Sequence, residues 1–336
     1  MTAAPDRSAE APGGLEGVLN VLKPPGMSSH DVVDFIRKIG GRRRAGHSGT
    51  LDRAAAGVLA VCVGRATRIA EYLSACGKEY RVEIALGETT STGDATGYTT
   101  REEDASALSF DDLRKAVGRF TGRIIQRVPA LSAKKFAGMR SYDIVRSGGV
   151  PPERTTAVYV ERIDVVEFRA GRRATAVLDV ACSAGTYIRA LCSDIGQALG
   201  CGAHMSFLLR TRTGPFAIED AMTLEELGAA ASGGRLCELV VGSDRALGFL
   251  KGFEIDRSGL RKVSQGRAPE NGDIIKVMEP SVSPAAGSDT ARLESSSDPE
   301  RGELVRLLRP EGGLAAVARA TTSCGRVEFS LEKVFL

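Results

Sequence analysis

The chain has 336 residues, 43% of them hydrophobic and 26% charged. Those proportions suit a globular protein with one large unit and a small one, and they exclude a fibrous or low-complexity chain. A net charge of +3 and a pI near 8.5 are mildly basic, compatible with a polyanionic partner but too small to establish one.

Residues 1–14 lack an apolar signal core and read as a disordered tail. Val18–Val21 is a short apolar run ending in Lys23-Pro24-Pro25-Gly26, a strand entering a turn. Ser28 or Ser29 caps a helix over about 30–39, with Val32, Phe35, Ile36 and Ile39 on one face and Gly40-Gly41 closing it. Arg42–Asp52 reads as a loop. Val58–Val63 predicts a buried strand, Thr67–Ala75 a helix and Tyr80–Leu86 an alternating strand. Residues 88–104 are polar and turn-rich.

Leu108, Leu113, Val117 and Phe120 fit another helix, closed by Gly122. Residues 123–155 mix Pro, Gly and basic side chains, as a long functional loop does. Strands are expected over 156–169 and 173–182, a helix over 187–199, and a strand over 203–212. Thr223 with Glu226 forms a capping box for a helix near 224–231. The chain from 251 onward is strand-rich. Its Ser- and Pro-rich stretch 280–302 reads as a disordered insertion.

Seven cysteines, none in a CxxC pair or at ligand spacing from a histidine, argue against a disulfide framework and a zinc site. Reduced thiols in a cytoplasmic protein are expected. No apolar stretch has the length to span a membrane.

Three segments carry chemistry. Gly46-His47-Ser48-Gly49-Thr50-Leu51-Asp52 places His and Asp beside two glycines that permit a tight turn. On those residues alone, an ordinary turn or capping aspartate and a surface imidazole are the favoured readings, with a KH-type GxxG clamp the other. Ser183-Ala184-Gly185-Thr186-Tyr187-Ile188-Arg189 puts an arginine at a helix start, suited to a carboxylate or phosphate. Gly200-Cys201-Gly202-Ala203-His204 by itself is a turn into a strand.

Together, and with Gly57-Val58-Leu59, Gly64-Arg65-Ala66-Thr67-Arg68, Lys78-Glu79-Tyr80-Arg81, Gln126-Arg127-Val128-Pro129, Leu208 and Arg210, these segments resemble the TruB family of tRNA pseudouridine synthases. The resemblance spans roughly 17–215. It implies an α+β pseudouridine-synthase fold, with a mixed, mostly antiparallel sheet flanked by helices. The catalytic domain is expected over 15–250, with an RNA-gripping excursion at 127–152. A small β-rich, PUA-like domain is expected over 251–336. Arg53 stands where relatives usually carry Pro, and Ser28 and Ser48 stand where Thr is common.

The resemblance also implies the roles. Asp52 is the catalytic carboxylate, nucleophile or base at the sugar, and Arg189 is its partner. Tyr80 stacks on the target base. Leu208 packs against it, Tyr187 orders the neighbourhood, and Lys23 braces the pocket. His47 fills the gap left when the base is flipped out. Arg42, Arg43 and Arg44 grip the RNA backbone, as do residues 127–152. The expected partner is tRNA, at uridine 55 of the T-arm, with no cofactor, no metal and no membrane. A monomer is expected. A non-catalytic tRNA-binding or folding factor on the same scaffold and an RNA-guided synthase of the same superfamily are the alternatives.

Overall fold

Tyr80, Val82, Ile84 and Leu86 alternate along strand β4 (Lys78–Leu86) and all point into one core. That period of two commits the strand to one buried face, and its neighbours follow the same register. β4 pairs antiparallel with β11 (Thr175–Cys182) on one side and β12 (Ala203–Thr213) on the other. The complete order is β1 (Gly17–Lys23), β3 (Ala56–Val63), β12, β4, β11, β10 (Thr155–Arg169) and β7 (Gly122–Arg127). β2 (Ala45–His47) joins β3, and β13 (Phe216–Ala217) joins β12. β3 and β12 pair parallel, through Leu209↔Ala56 and Arg210↔Gly57, and the other pairings in this sheet are antiparallel. The α+β expectation with a mixed sheet holds.

The structure is a computed structural model that describes residues 15–129, 135–136, 139–140, 154–281, 302–323 and 326–336. The expected tail 1–14, most of the 127–152 excursion and nearly all of the 280–302 insertion lie outside the described residues. Within the excursion, Lys135–Phe136 (β8) pairs with Met139–Arg140 (β9). Among the described residues, no helix is long and apolar enough to cross a membrane.

The unbroken apolar run of β3 has a packing cause. Its Val58, Ala60 and Cys62 enter one core and its Leu59, Val61 and Val63 another, so both faces are covered. Helix α1 (Ser29–Ile39) covers the second face with Val32, Val33 and Ile36. Ser28 caps it through a capping box with Asp31. On the first face lies α2 (Ala70–Ala75). Helices α3 (Phe110–Gly118) and α4 (Ile188–Ala198) close the core under β4. α5 (Leu224–Ser232) starts at the predicted Thr223–Glu226 box, and a short α6 (Ser243–Ala246) follows.

The second sheet has the order β15 (Ile274–Met278), β14 (Lys251–Ile255), β16 (Glu303–Leu308), β17 (Leu314–Ser323) and β18 (Arg326–Val334). Leu304, Leu308, Leu314 and Val317 join the core on α2. Lys333 pairs with Glu71, and Arg68 stacks 4.9 Å from the Phe335 ring centroid.

Several elements differ from the sequence expectations. Gly122 opens β7 instead of closing a helix, and α3 ends at Gly118. β7 is an edge strand with most side chains outward, so it carries no apolar stripe to read. Residues 88–104 hold a polar hairpin, β5 (Glu88–Thr90) and β6 (Thr99–Glu102). β2 interrupts the predicted loop 42–52. In the tail, the helix α7 (Arg257–Ser264), capped by Asp256, is an addition to the expected strand-rich pattern.

Candidate active site

A cleft of about 390 Å³ opens beside β4. Asp52, Tyr80, Tyr187, Arg189 and Leu208 line it, drawn from four separate segments of the chain.

The Asp52 turn is tied down on both flanks. Ser29 Oγ on α1 accepts from Leu51 N (2.8 Å) and donates to Leu51 O (3.1 Å). Gly26 N donates to Arg53 O (2.8 Å), and Ala55 N to Asp52 O (3.1 Å). The Lys23 ammonium, fully buried at the end of β1, donates to Ala55 O (2.6 Å) and Pro24 O (2.8 Å). Burial, followed by the charge of Arg210, brings Lys23 down to about 8, while Asp52 pulls the other way. Lys23 thus braces the turn from behind and does not line the cleft.

Arg189 sits in the first turn of α4. That helix has no side-chain cap of its own at Tyr187; instead the buried Gln126 of β7 accepts from Tyr187 N (2.9 Å) and donates to Tyr187 O (3.2 Å). Arg189 Nε lies 3.1 Å from Asp52 Oδ2, and its Nη1 lies 3.7 Å from Asp94 Oδ2 and 3.3 Å from Thr92 O. Burial works to raise the Asp94 carboxyl. Hydrogen bonds from Thr96 and Thr92, together with Arg189, outweigh it and hold Asp94 below the usual carboxylate value. Asp94 lies in the polar, turn-rich stretch 88–104, to which the sequence assigns no role. Its signal is the Thr-Gly-Asp turn, readable only once that turn is seen to fold against α4.

Tyr80 is buried, and that burial pushes its phenol up to about 12, although Arg210 opposes the shift. Leu208 lies two residues before Arg210 on β12 and packs in the same core as Tyr80. Lys78, Ser74 and Thr186 also line the cleft without having been singled out.

The remaining predicted residues stand outside the cleft lining. His47 is half-buried on β2, and its Nδ1 accepts from Gly49 N (3.3 Å). Arg42, Arg43 and Arg44 are exposed between α1 and β2, with Arg42 at a φ of 61°. Arg53 turns its side chain back, donating to Gly26 O (3.2 Å) and approaching Asp31 (3.7 Å). Its charge is thus placed at the start of α1.

An exposed carboxylate beside a nearly buried guanidinium, in a cleft also lined by a tyrosine and a leucine, suits nucleophilic or acid–base chemistry on a flat, partly apolar ligand. Solved structures with the same architecture include a chain in a crystallised Cbf5–Nop10–Gar1 complex, 30% identical with a TM-score of 0.71. The match covers 96% of this chain and 85% of that one. Another is in an archaeal box H/ACA sRNP Nop10–Cbf5 complex, 28% identical with a TM-score of 0.68. The fold is that of the pseudouridine synthases.

Residues 37–188 match the model of the TruB family pseudouridylate synthase N-terminal domain, and 189–247 that of the tRNA pseudouridylate synthase B C-terminal domain. The chain is 45% identical to tRNA pseudouridine synthase B of Pelotomaculum thermopropionicum, over 96% of this chain and 95% of that protein. It is 50% identical to the same-named protein of Symbiobacterium thermophilum, over 66% of this chain and 74% of that one. The chain belongs to the TruB family and is a pseudouridine synthase.

Proposed function

We propose that the substrate is tRNA, that the target is uridine 55 of the T-arm, and that Asp52 is the carboxylate acting at the sugar. The observation that carries this is the Asp52–Arg189 pair at 3.1 Å, facing the cleft that Tyr80 and Leu208 also line. The names of the curated relatives support tRNA as the substrate.

The reaction is an isomerisation. The bond from the sugar to the uracil nitrogen breaks, and a bond from the same sugar carbon to a ring carbon forms. The proton displaced from that carbon is replaced by one on the freed nitrogen, so atoms and electrons balance. Asp52 serves as nucleophile or as proton acceptor at the sugar. Arg189 orients it. Tyr80 stacks on the base and assists the late proton movement, while Leu208 confines the ring and Tyr187 orders the pair.

The uridine must leave its stack to reach this cleft, at a cost of a few kcal/mol. His47 fills the vacated space. Arg42–Arg44 and the 127–152 excursion hold the RNA backbone. The division into a catalytic unit at 15–250 and a PUA-like unit at 251–336 belongs to the same proposal.

The test is incubation with an unmodified tRNA transcript, without guide RNA or cofactor, followed by mapping of pseudouridine. Product is expected in the T-arm, and its absence there sinks the proposal. A guide-dependent reaction would point to the RNA-guided alternative. Asp52→Asn is expected to abolish product while retaining tRNA binding; an active Asp52→Asn would remove the site assignment.

A further inference from the structure

Arg210 is among the largest fully buried side chains, and its 1% exposure makes it an expensive cation to place in a core unless it is well paired. Its partners are specific. Nε donates to Val58 O (2.8 Å), Nη2 to Gly49 O (3.1 Å) and Nη1 to Thr50 O at 3.5 Å. Tyr80 is its register partner across β4 and β12, and the phenol lies near enough to the guanidinium for the two to interact electrostatically. Gly49 and Thr50 lie in the turn that leads to Asp52. One planar group therefore grips the Asp52 turn and stands beside Tyr80, and it does so from the strand that supplies Leu208.

The backbone is built for this contact. A Cβ at Gly57 would meet Arg210 O at 2.2 Å and Arg210 N at 2.6 Å, so only glycine lets β3 approach β12 this closely. Gly57 has a φ of 115°, which side chains rarely adopt.

We infer that Arg210 is a positioning residue for the isomerisation, holding the Asp52 turn and the Tyr80 phenol in one frame. This rests on the reading that Asp52 and Tyr80 act on the bound uridine. Lysine is a poor substitute, because a single ammonium lacks the flat fork that spans carbonyls on two elements. Displacing reacting groups by about 1 Å costs on the order of 100-fold in rate.

Single-turnover conversion of an unmodified tRNA transcript tests it, with tRNA affinity and melting temperature measured in parallel. Arg210→Lys is expected to slow turnover by about 100-fold with tRNA affinity little changed. A double-mutant cycle with Tyr80→Phe separates positioning from general support of the fold. The combined variant is expected to lose clearly less than the product of the two single losses. Arg210→Lys turning over at the wild-type rate, losses that multiply, or a rate loss matched by lost affinity would each overturn the inference.

If neither Arg210→Lys nor Arg210→Gln folds, the coupling is read from the other side. Tyr80→Phe is then expected to shift the Arg210 Nε resonance in ¹⁵N-arginine-labelled protein, and an unmoved resonance overturns it. An inactive wild type would overturn the proposed function; an active wild type with an unimpaired Arg210→Lys overturns this inference alone.

Discussion

Asp52 and Arg189 meet at 3.1 Å as unequal partners, the arginine side chain 10% exposed and the aspartate 45%. The arginine cannot be held by the open carboxylate alone. Asp94, 10% exposed, and the Thr92 carbonyl fix it from the protein side. Asp94 and Asp52 thus share one guanidinium. Asp94→Asn is expected to lower single-turnover rate by about 100-fold, because it misplaces the pair without removing it. Comparing rate with tRNA affinity checks this; an unaffected rate would detach Asp94 from the site.

Lys23 gives a signature in pH. Its folded value is about 8 against an ordinary 10.5. Between those values the unfolded chain binds more proton than the folded one, so stability rises with pH across that window. The burial cost is fully present below about pH 8 and relieved toward pH 10.5. Lys23→Met lacks this slope. The wild-type advantage over the variant is expected to grow by about 3 kcal/mol from pH 7 to 10.5, read by denaturant unfolding at both ends. A constant difference would show that Lys23 is not depressed.

Gly57→Ala should be costly although it adds one methyl. The new Cβ collides with backbone, which cannot rotate away as a side chain does. A loss of about 3 kcal/mol is expected, with the parallel β3–β12 contact disturbed. Thermal unfolding reads it, and a melting temperature equal to wild type would contradict the close approach.

Arg42, Arg43 and Arg44 are exposed as a block. If they grip RNA phosphates, changing all three to Ala removes about 2 units from the slope of log affinity against log salt. Titrations at several salt concentrations measure this, and an unchanged slope would move the grip elsewhere.

The legible part of the site came from ordered short segments. Asp52, Tyr80, Tyr187, Arg189 and Leu208 were each named from the chain, and they line one cleft. Asp94 and Arg210 were visible as letters without a role. Asp94 looked like one more polar turn residue. Arg210 looked like a charge on a strand, where a solvated face is the ordinary expectation. Gln126 likewise sat in a recognised segment, yet its work as the cap of α4 needs β7 and α4 side by side.

The elements show the same division. Strongly patterned segments, such as β4 with its period of two and α1 with its Ser28 cap, were readable because their own residues encode the buried face. The edge strand β7 and the hairpin β5–β6 carry little apolar pattern, since their pairing is made by backbone groups that every residue owns. Residue type and local period therefore determined the family, the principal elements and the carboxylate–arginine pair as candidates. Tertiary structure alone decided which charges are sealed and which stay open. Burial depends on what a distant strand places alongside, and so Arg210 became an internal clamp while Asp52 remained exposed.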